Sequence, residues 1–300
     1  MMQVISKWRR FGLLYAKENH MEKILLALDA GNLNRNDIEF ACYVSRLTRS
    51  RLTGVFLENL SGGGRPVRSS MGAASMNREP GNDFFPMSPG QGIDETEENI
   101  RAFRTACERQ EVQALIHRDR GVPATEIIGE SRFADLIIVN PETSFTNCHE
   151  GLPGRFVKDL LLETECPIIL SPYSFDHIET ILFTYNGTKS SVFAIKQFCY
   201  LFPELRQKKA VVVCVRNDGE GAIDEQFRMK EWLKNHYSGV EYVLLKGDPS
   251  DELFGYLIEK KDAIVVMGAF GRGTLSRFFK PSHARLVVKT INLPIFIAHQ

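Results

Sequence analysis

Between Val265 and Val288 the chain reads VVMGAFGRGTLSRFFKPSHARLVV. An apolar, strand-like run ends in Gly268, and Gly271 and Gly273 follow. Glycine has no Cβ, so at such places a ligand can come close to the backbone. Consecutive N–H groups in a turn of this kind form a concavity for anions. Pro281-Ser282 then opens a helical pattern. A helix start offers free N–H donors and partial positive charge. Ser282 adds a hydroxyl, and Arg272 adds a cation that screens phosphate charge. A second loop, YNGTKSS from Tyr185 to Ser191, supplies Asn186 and Gly187, with an amide suited to a base or a ribose. The chemistry that this pattern suits is phosphate or nucleotide binding; the alternative is a glycine turn that merely reverses the chain. No serine–histidine–acid set and no paired carboxylates stand at these loops, so no catalytic residue is assigned and the reading allows at most a slow ATPase. Pro281 counts against tight binding, because it has no N–H to give.

These residues need a scaffold, and an internal repeat describes it. ADLIIVNPETSF resembles KDAIVVMGAFGR, and ETECPIILSP resembles TINLPIFIAH. Asp135 and Asp262 lie 127 positions apart, as do Pro167 and Pro294. MEKILLALDAG matches IETILFTYNGT with a spacing of 157 between Ile24 and Ile181. The first half therefore carries about 30 additional residues. They lie near 61–92, a stretch rich in Gly, Ser, Pro and Met, read as a long mobile insert.

Each half alternates strands and helices. Strands are expected at 24–28, 53–58, 112–117, 135–139 and 167–171, and again at 181–185, 210–215, 240–245, 262–266 and 294–298. Helices are expected at 36–49, 94–110, 123–133 and 154–164, and at 189–202, 222–237, 250–260 and 281–290. This is an α/β plan: two repeated open five-stranded parallel sheets with helices on both faces, Rossmann-like, with strand order 3-2-1-4-5. The domains read as an extension at 1–20, a first domain at 21–172 and a second at 177–300, joined by SPYSFDH. In such sheets ligands bind beyond the carboxyl ends of the strands, where the order reverses between strands 1 and 4. The two glycine loops are the loops at that reversal in the second half.

Bulk properties narrow the classes. At 300 residues two domains are expected. The formal net charge is zero, which argues against a nucleic-acid partner or a polybasic membrane surface. The short basic runs HRDR at 117–120 and RQKK at 206–209 read as solvated faces. No apolar run reaches the roughly 18 residues of a membrane span. Six scattered cysteines without a CxxC pair suit a reducing cytosol, and Cys148-His149 has no second ligand pair, so no metal site is assigned.

The repeat and the stretch GAFGRGTLSRFFKPS resemble the universal stress protein family in its tandem two-domain form, from Met21 to His299. The resemblance implies a cytoplasmic stress-response protein that binds ATP or AMP through G-x2-G-x9-G-[ST] after the fourth strand. Here the second half has Gly268-x2-Gly271-x9-Pro281-Ser282, so the third glycine is missing. The family's aspartate after the first strand is Asn186, which weakens any dependence on magnesium. The first half keeps Asp29 and Gly154 but has Pro141 and Ser144 in place of the G-x2-G pair and Arg155 in place of the serine. The expected nucleotide residues are Asn186, Gly187, Gly268, Gly271, Arg272, Gly273 and Ser282. The alternative is a non-nucleotide adaptor with an unknown protein partner. The resemblance also implies that the strands at 167–171 and 294–298 pair antiparallel across an approximate two-fold axis. That would make an intramolecular pseudo-dimer, with homodimerisation of whole chains left open.

Overall fold

The computed structural model describes residues 21–59, 91–146, 150–216, 223, 225–268 and 291–298. The first half runs β1 (Lys23–Asp29), α1 (Arg35–Thr48), β2 (Arg51–Asn59), α2 (Gln91–Arg109), β3 (Ala114–Gly121), α3 (Pro123–Ser131), β4 (Leu136–Val139), α4 (Arg155–Glu163) and β5 (Ile168–Leu170). The second runs β6 (Thr180–Tyr185), α5 (Lys189–Leu201), a 3-10 turn (Pro203–Gln207), β7 (Lys209–Arg216), α6 (Gln226–Leu233), β8 (Val240–Lys246), α7 (Pro249–Ile258), β9 (Ala263–Gly268) and β10 (Ile295–Ala298). The extension at 1–20, most of the insert and the helix expected at 281–290 lie outside the described residues. Helix α2 begins at Gln91, inside the segment expected as loop.

The two five-stranded sheets are joined into one of ten strands, ordered β3-β2-β1-β4-β5-β10-β9-β6-β7-β8. Each half has the order 3-2-1-4-5, and every pairing within a half is parallel. The halves meet through β5 and β10, which pair antiparallel with Ile168, Ile169 and Leu170 opposite Ile297, Phe296 and Ile295. Both strands are apolar and fully buried. Left unpaired, each would be an apolar edge open to association. Paired, each covers the other.

Side chains alternate across the sheet, so each strand feeds two apolar layers. One layer holds Ile24, Leu26, Phe40, Phe103, Phe183, Phe198 and Phe296, beneath α1, α2 and α5. The other holds Leu25, Val139, Leu160, Leu182, Val265 and Leu257, beneath α4 and α7. Both layers draw on both halves. At the seam, Phe296 packs edge-on to Phe198 with ring centroids 5.3 Å apart. The linker is fastened there as well. Asn292 accepts from the Ser174 amide at 3.0 Å and donates to the Ser174 carbonyl at 3.1 Å. Phe175 of the linker stacks edge-on against Phe40 and Tyr43 of α1.

The edge strand β3 departs from the reading at 112–117, running from Ala114 to Gly121 and taking in the whole HRDR run. The run lies in a paired edge strand, with its side chains half-buried to exposed. Arg118 bonds Glu58 on β2 and Glu97 on α2, Arg120 bonds Glu58 at 3.0 Å, and His117 meets Glu130 of α3 at 2.8 Å. Charge is tolerated because β3 pairs on one side only.

Phe296 is fully buried where both halves contribute. Phe296→Ala should lower the unfolding free energy by about 3–5 kcal/mol. Urea denaturation reads this as a lower midpoint; an unchanged midpoint would mean that the seam contributes little to stability.

Candidate functional site

In the second half the ladder between β6 and β9 ends at Phe183 and Val266. The Thr184 hydroxyl then donates to the Val266 carbonyl at 3.1 Å, tying the two strand ends together. Beyond it lies the turn Asn186-Gly187-Thr188. Asn186 Oδ1 accepts from the Thr188 hydroxyl at 2.8 Å and from its amide at 3.3 Å. Gly187 takes φ 76°, which a side chain would disfavour. Thr188 caps α5 by accepting from the Ser191 amide. The asparagine oxygen is therefore committed to building its own turn.

Gly268 closes the other side. A Cβ there would lie 2.6 Å from the Ser190 carbonyl carbon and hydroxyl and 2.7 Å from its carbonyl oxygen. The bare backbone lets the first turn of α5 rest directly on the end of β9. This packing accounts for Gly268 by itself, and it also brings the N-terminus of α5 to the crevice. Asn186, Gly187 and Gly268 are thus gathered at the strand-order reversal. Gly271, Arg272, Gly273, Pro281 and Ser282 lie outside the described residues.

The first half treats the same place differently. Asp29, at the end of β1, accepts from the Gly31 amide at 3.0 Å, so one carboxylate oxygen serves its own turn. Helix α4 starts at Gly154, which has no side chain to cap it. Glu150 does that work: its Oε2 accepts from the Arg155 amide at 2.8 Å and from the Ser144 hydroxyl at 3.2 Å. A Cβ on Gly154 would stand 2.8 Å from that oxygen. A carboxylate belonging to the chain therefore occupies the helix entrance, where partial positive charge favours an anion.

Beside it is a buried polar cluster that the sequence did not reveal. Asp37, in the first turn of α1, accepts from Asn140 Nδ2 at 3.0 Å through both oxygens and from Ser171 Oγ at 2.7 Å. Asn140 and Ser171 follow β4 and β5, so the cluster ties α1 to two strand ends. The corresponding places in the second half hold Ser191, Gly268 and Ala298, all buried. No sequence signal joins positions 37, 140 and 171; only the strand register and the helix caps, once the fold is known, make the replacement visible. Burial pushes the Asp37 carboxyl above its ordinary value, against the pull of the Ser171 and Asn140 hydrogen bonds and with added repulsion from Glu142.

Among the described residues, no three His, Cys, Asp or Glu side chains gather as a metal site. Cys148 and His149 lie outside them. No described helix is long and apolar enough to cross a membrane.

No protein-family model matches the sequence, and no curated protein matches it significantly. Solved structures do match. A universal stress protein from Archaeoglobus fulgidus DSM 4304 aligns over 94% of this chain and 99% of its own, with TM-score 0.64 and 16% identity. The chain has the universal stress protein fold. A candidate universal stress protein from Pseudomonas aeruginosa UCBPP-PA14 aligns over 94% of each chain with TM-score 0.56 and 11% identity. A functionally unknown protein from Pseudomonas aeruginosa PAO1 does so over the same shares, with TM-score 0.53 and 12% identity. The alignments run over nearly the whole chain, so the likeness of fold takes in both halves.

Two outcomes check this geometry. Gly268→Ala should cost about 1–3 kcal/mol, because the new methyl group meets Ser190 backbone atoms. Thermal or chemical denaturation measures it, and an unchanged stability would mean that α5 does not rest on β9 as described. Asp37 holds its proton more tightly folded than unfolded. Its stabilising contribution is therefore full below the unfolded value, near 3.8, and is lost as pH rises through the raised folded value. Asp37→Asn carries no such proton. Measured from acid to neutral pH, the stability of wild type relative to this variant should fall across that window; a constant difference would show that Asp37 titrates alike in both states.

Proposed function

We propose that the second half binds an adenine nucleotide in the crevice at the carboxyl ends of β6 and β9. The observation that carries this reading is the junction of the Asn186-Gly187-Thr188 turn, the first turn of α5 and the bare Gly268 at the strand-order reversal. On this reading the phosphates lie toward Gly271, Arg272, Gly273 and Ser282, and the base or ribose lies toward Asn186 and Gly187. The ligand is AMP or ATP, held without dependence on magnesium, since Asn186 offers no carboxylate. The first half does not take part, because Glu150 fills the corresponding helix entrance. The protein would act as a cytoplasmic stress-response sensor or store of the nucleotide, divided into domains at 21–172 and 177–300.

A second reading has its own support. The Asn186 oxygen is used within its turn and Pro281 lacks an N–H. These features suit an adaptor that keeps the scaffold of the site and presents its surface to a protein partner.

The two readings part on one experiment. Small molecules released from the purified protein are identified by mass spectrometry, and AMP and ATP are titrated calorimetrically with and without magnesium. Nucleotide binding should vanish in Gly271→Val. In Pro281→Gly it should tighten by about 10- to 150-fold, the worth of one regained hydrogen bond to a charged group. Wild-type protein that releases no nucleotide and shows no heat of binding would overturn the first reading in favour of the adaptor.

A further inference from the structure

Two thiols meet in the interior of the first half. Cys42 lies midway along α1 and Cys107 in the last turn of α2. They are 65 positions apart in sequence, yet their sulfurs are 3.7 Å apart and in hydrogen-bond contact. Both are almost fully buried, within the layer that includes Ile38, Val44 and Phe103. Both are free thiols. As apolar filler, two cysteines would need no mutual contact. Placed sulfur to sulfur on adjacent helices, they form a dithiol.

We propose that Cys42 and Cys107 are a site of reversible oxidation, forming a disulfide that cross-links α1 to α2. A disulfide needs its sulfurs at about 2.05 Å, so the pair must close by about 1.7 Å, a shift that two side-chain rotations share. Cys42 is the sulfur that attacks. The hydrogen bond with Cys107 lowers its pKa, burial opposes this, and Arg46, one turn along α1, assists while Glu39 works against it. The same shared proton, together with burial and the nearby Glu108, raises Cys107.

The oxidant is a hydroperoxide. The Cys42 thiolate attacks one peroxide oxygen, the O–O bond breaks and, with hydrogen peroxide, the departing hydroxide takes a proton to leave as water. Cys42 is then a sulfenic acid. The Cys107 sulfur attacks the Cys42 sulfur, the S–O bond breaks and a second water leaves with the Cys107 proton. Two electrons pass from the two sulfurs to the peroxide. Because both thiols are sealed from solvent, the oxidant enters through local opening. The last turn of α2, which holds Cys107, is the kind of segment that frays. The reaction is therefore slow, and its rate follows the opening of that turn.

The full chain is incubated with hydrogen peroxide, quenched with an alkylating agent and digested without reductant. The main cross-linked species expected by mass spectrometry joins the Cys42 and Cys107 peptides, and dithiothreitol releases it. The oxidised protein should melt about 5 °C or more above the reduced form, since the cross-link closes a long loop in the unfolded chain. In Cys107→Ser the link is lost, and Cys42 is instead trapped by a sulfenic-acid reagent. If that variant does not fold, the wild-type peptide map decides alone. Both thiols remaining free while peroxide oxidises methionines, or a first disulfide between any other pair, overturns the proposal. None of these readouts depends on nucleotide binding.

Discussion

The antiparallel pairing of β5 with β10 holds the architecture together. Only three residue pairs are in register there, but all six side chains are apolar and buried. Each half alone would end in an uncovered apolar strand, and an edge of that kind recruits whatever strand it meets. Having the partner strand in the same chain makes the encounter intramolecular, and the Asn292–Ser174 bonds hold the connecting segment beside it. The seam also fuses two small cores into two continuous layers. Large domains bury a greater fraction of their surface than small ones, so this fusion is itself a source of stability.

On this common frame the halves have diverged at the carboxyl ends of their strands. The first half fills that region with its own polar groups: Glu150 at the entrance of α4, and Asp37 bonded to Asn140 and Ser171. A buried carboxylate is expensive unless its hydrogen bonds are satisfied, and here three donor contacts meet it. The second half places Ser191, Gly268 and Ala298 at the equivalent positions and forms its turn from Asn186 and Gly187. The first half is closed by internal contacts at this place, and the second brings its helix backbone directly against Gly268.

Much of the frame was legible in the sequence. The matched pairs Asp135 with Asp262 and Pro167 with Pro294 mark equivalent strand starts, and short apolar runs between polar helical stretches have few solutions other than a parallel sheet. Strand order and the antiparallel seam both agree with that reading. The errors were local. Strand β3 was ended before its arginines, because the ion pairs that carry them come from Glu58 and Glu97 on other elements. The Asp37 cluster, the Glu150 cap and the Cys42–Cys107 contact were invisible for a common reason. The first and last join residues on different elements, and the cap forms within an irregular loop, so neither periodicity nor spacing along one element reports such contacts.

The direction of the seam has a geometrical consequence. Within each half β1, β4 and their counterparts β6, β9 run parallel to their neighbours, but the halves run against each other. The carboxyl ends of the first half's strands and those of the second therefore face opposite poles of the sheet. A single flat surface pressed against the molecule can read one pole and not the other. A change at one pole reaches the far one only along the strands themselves, through a backbone ladder that stretches poorly and shifts as a unit.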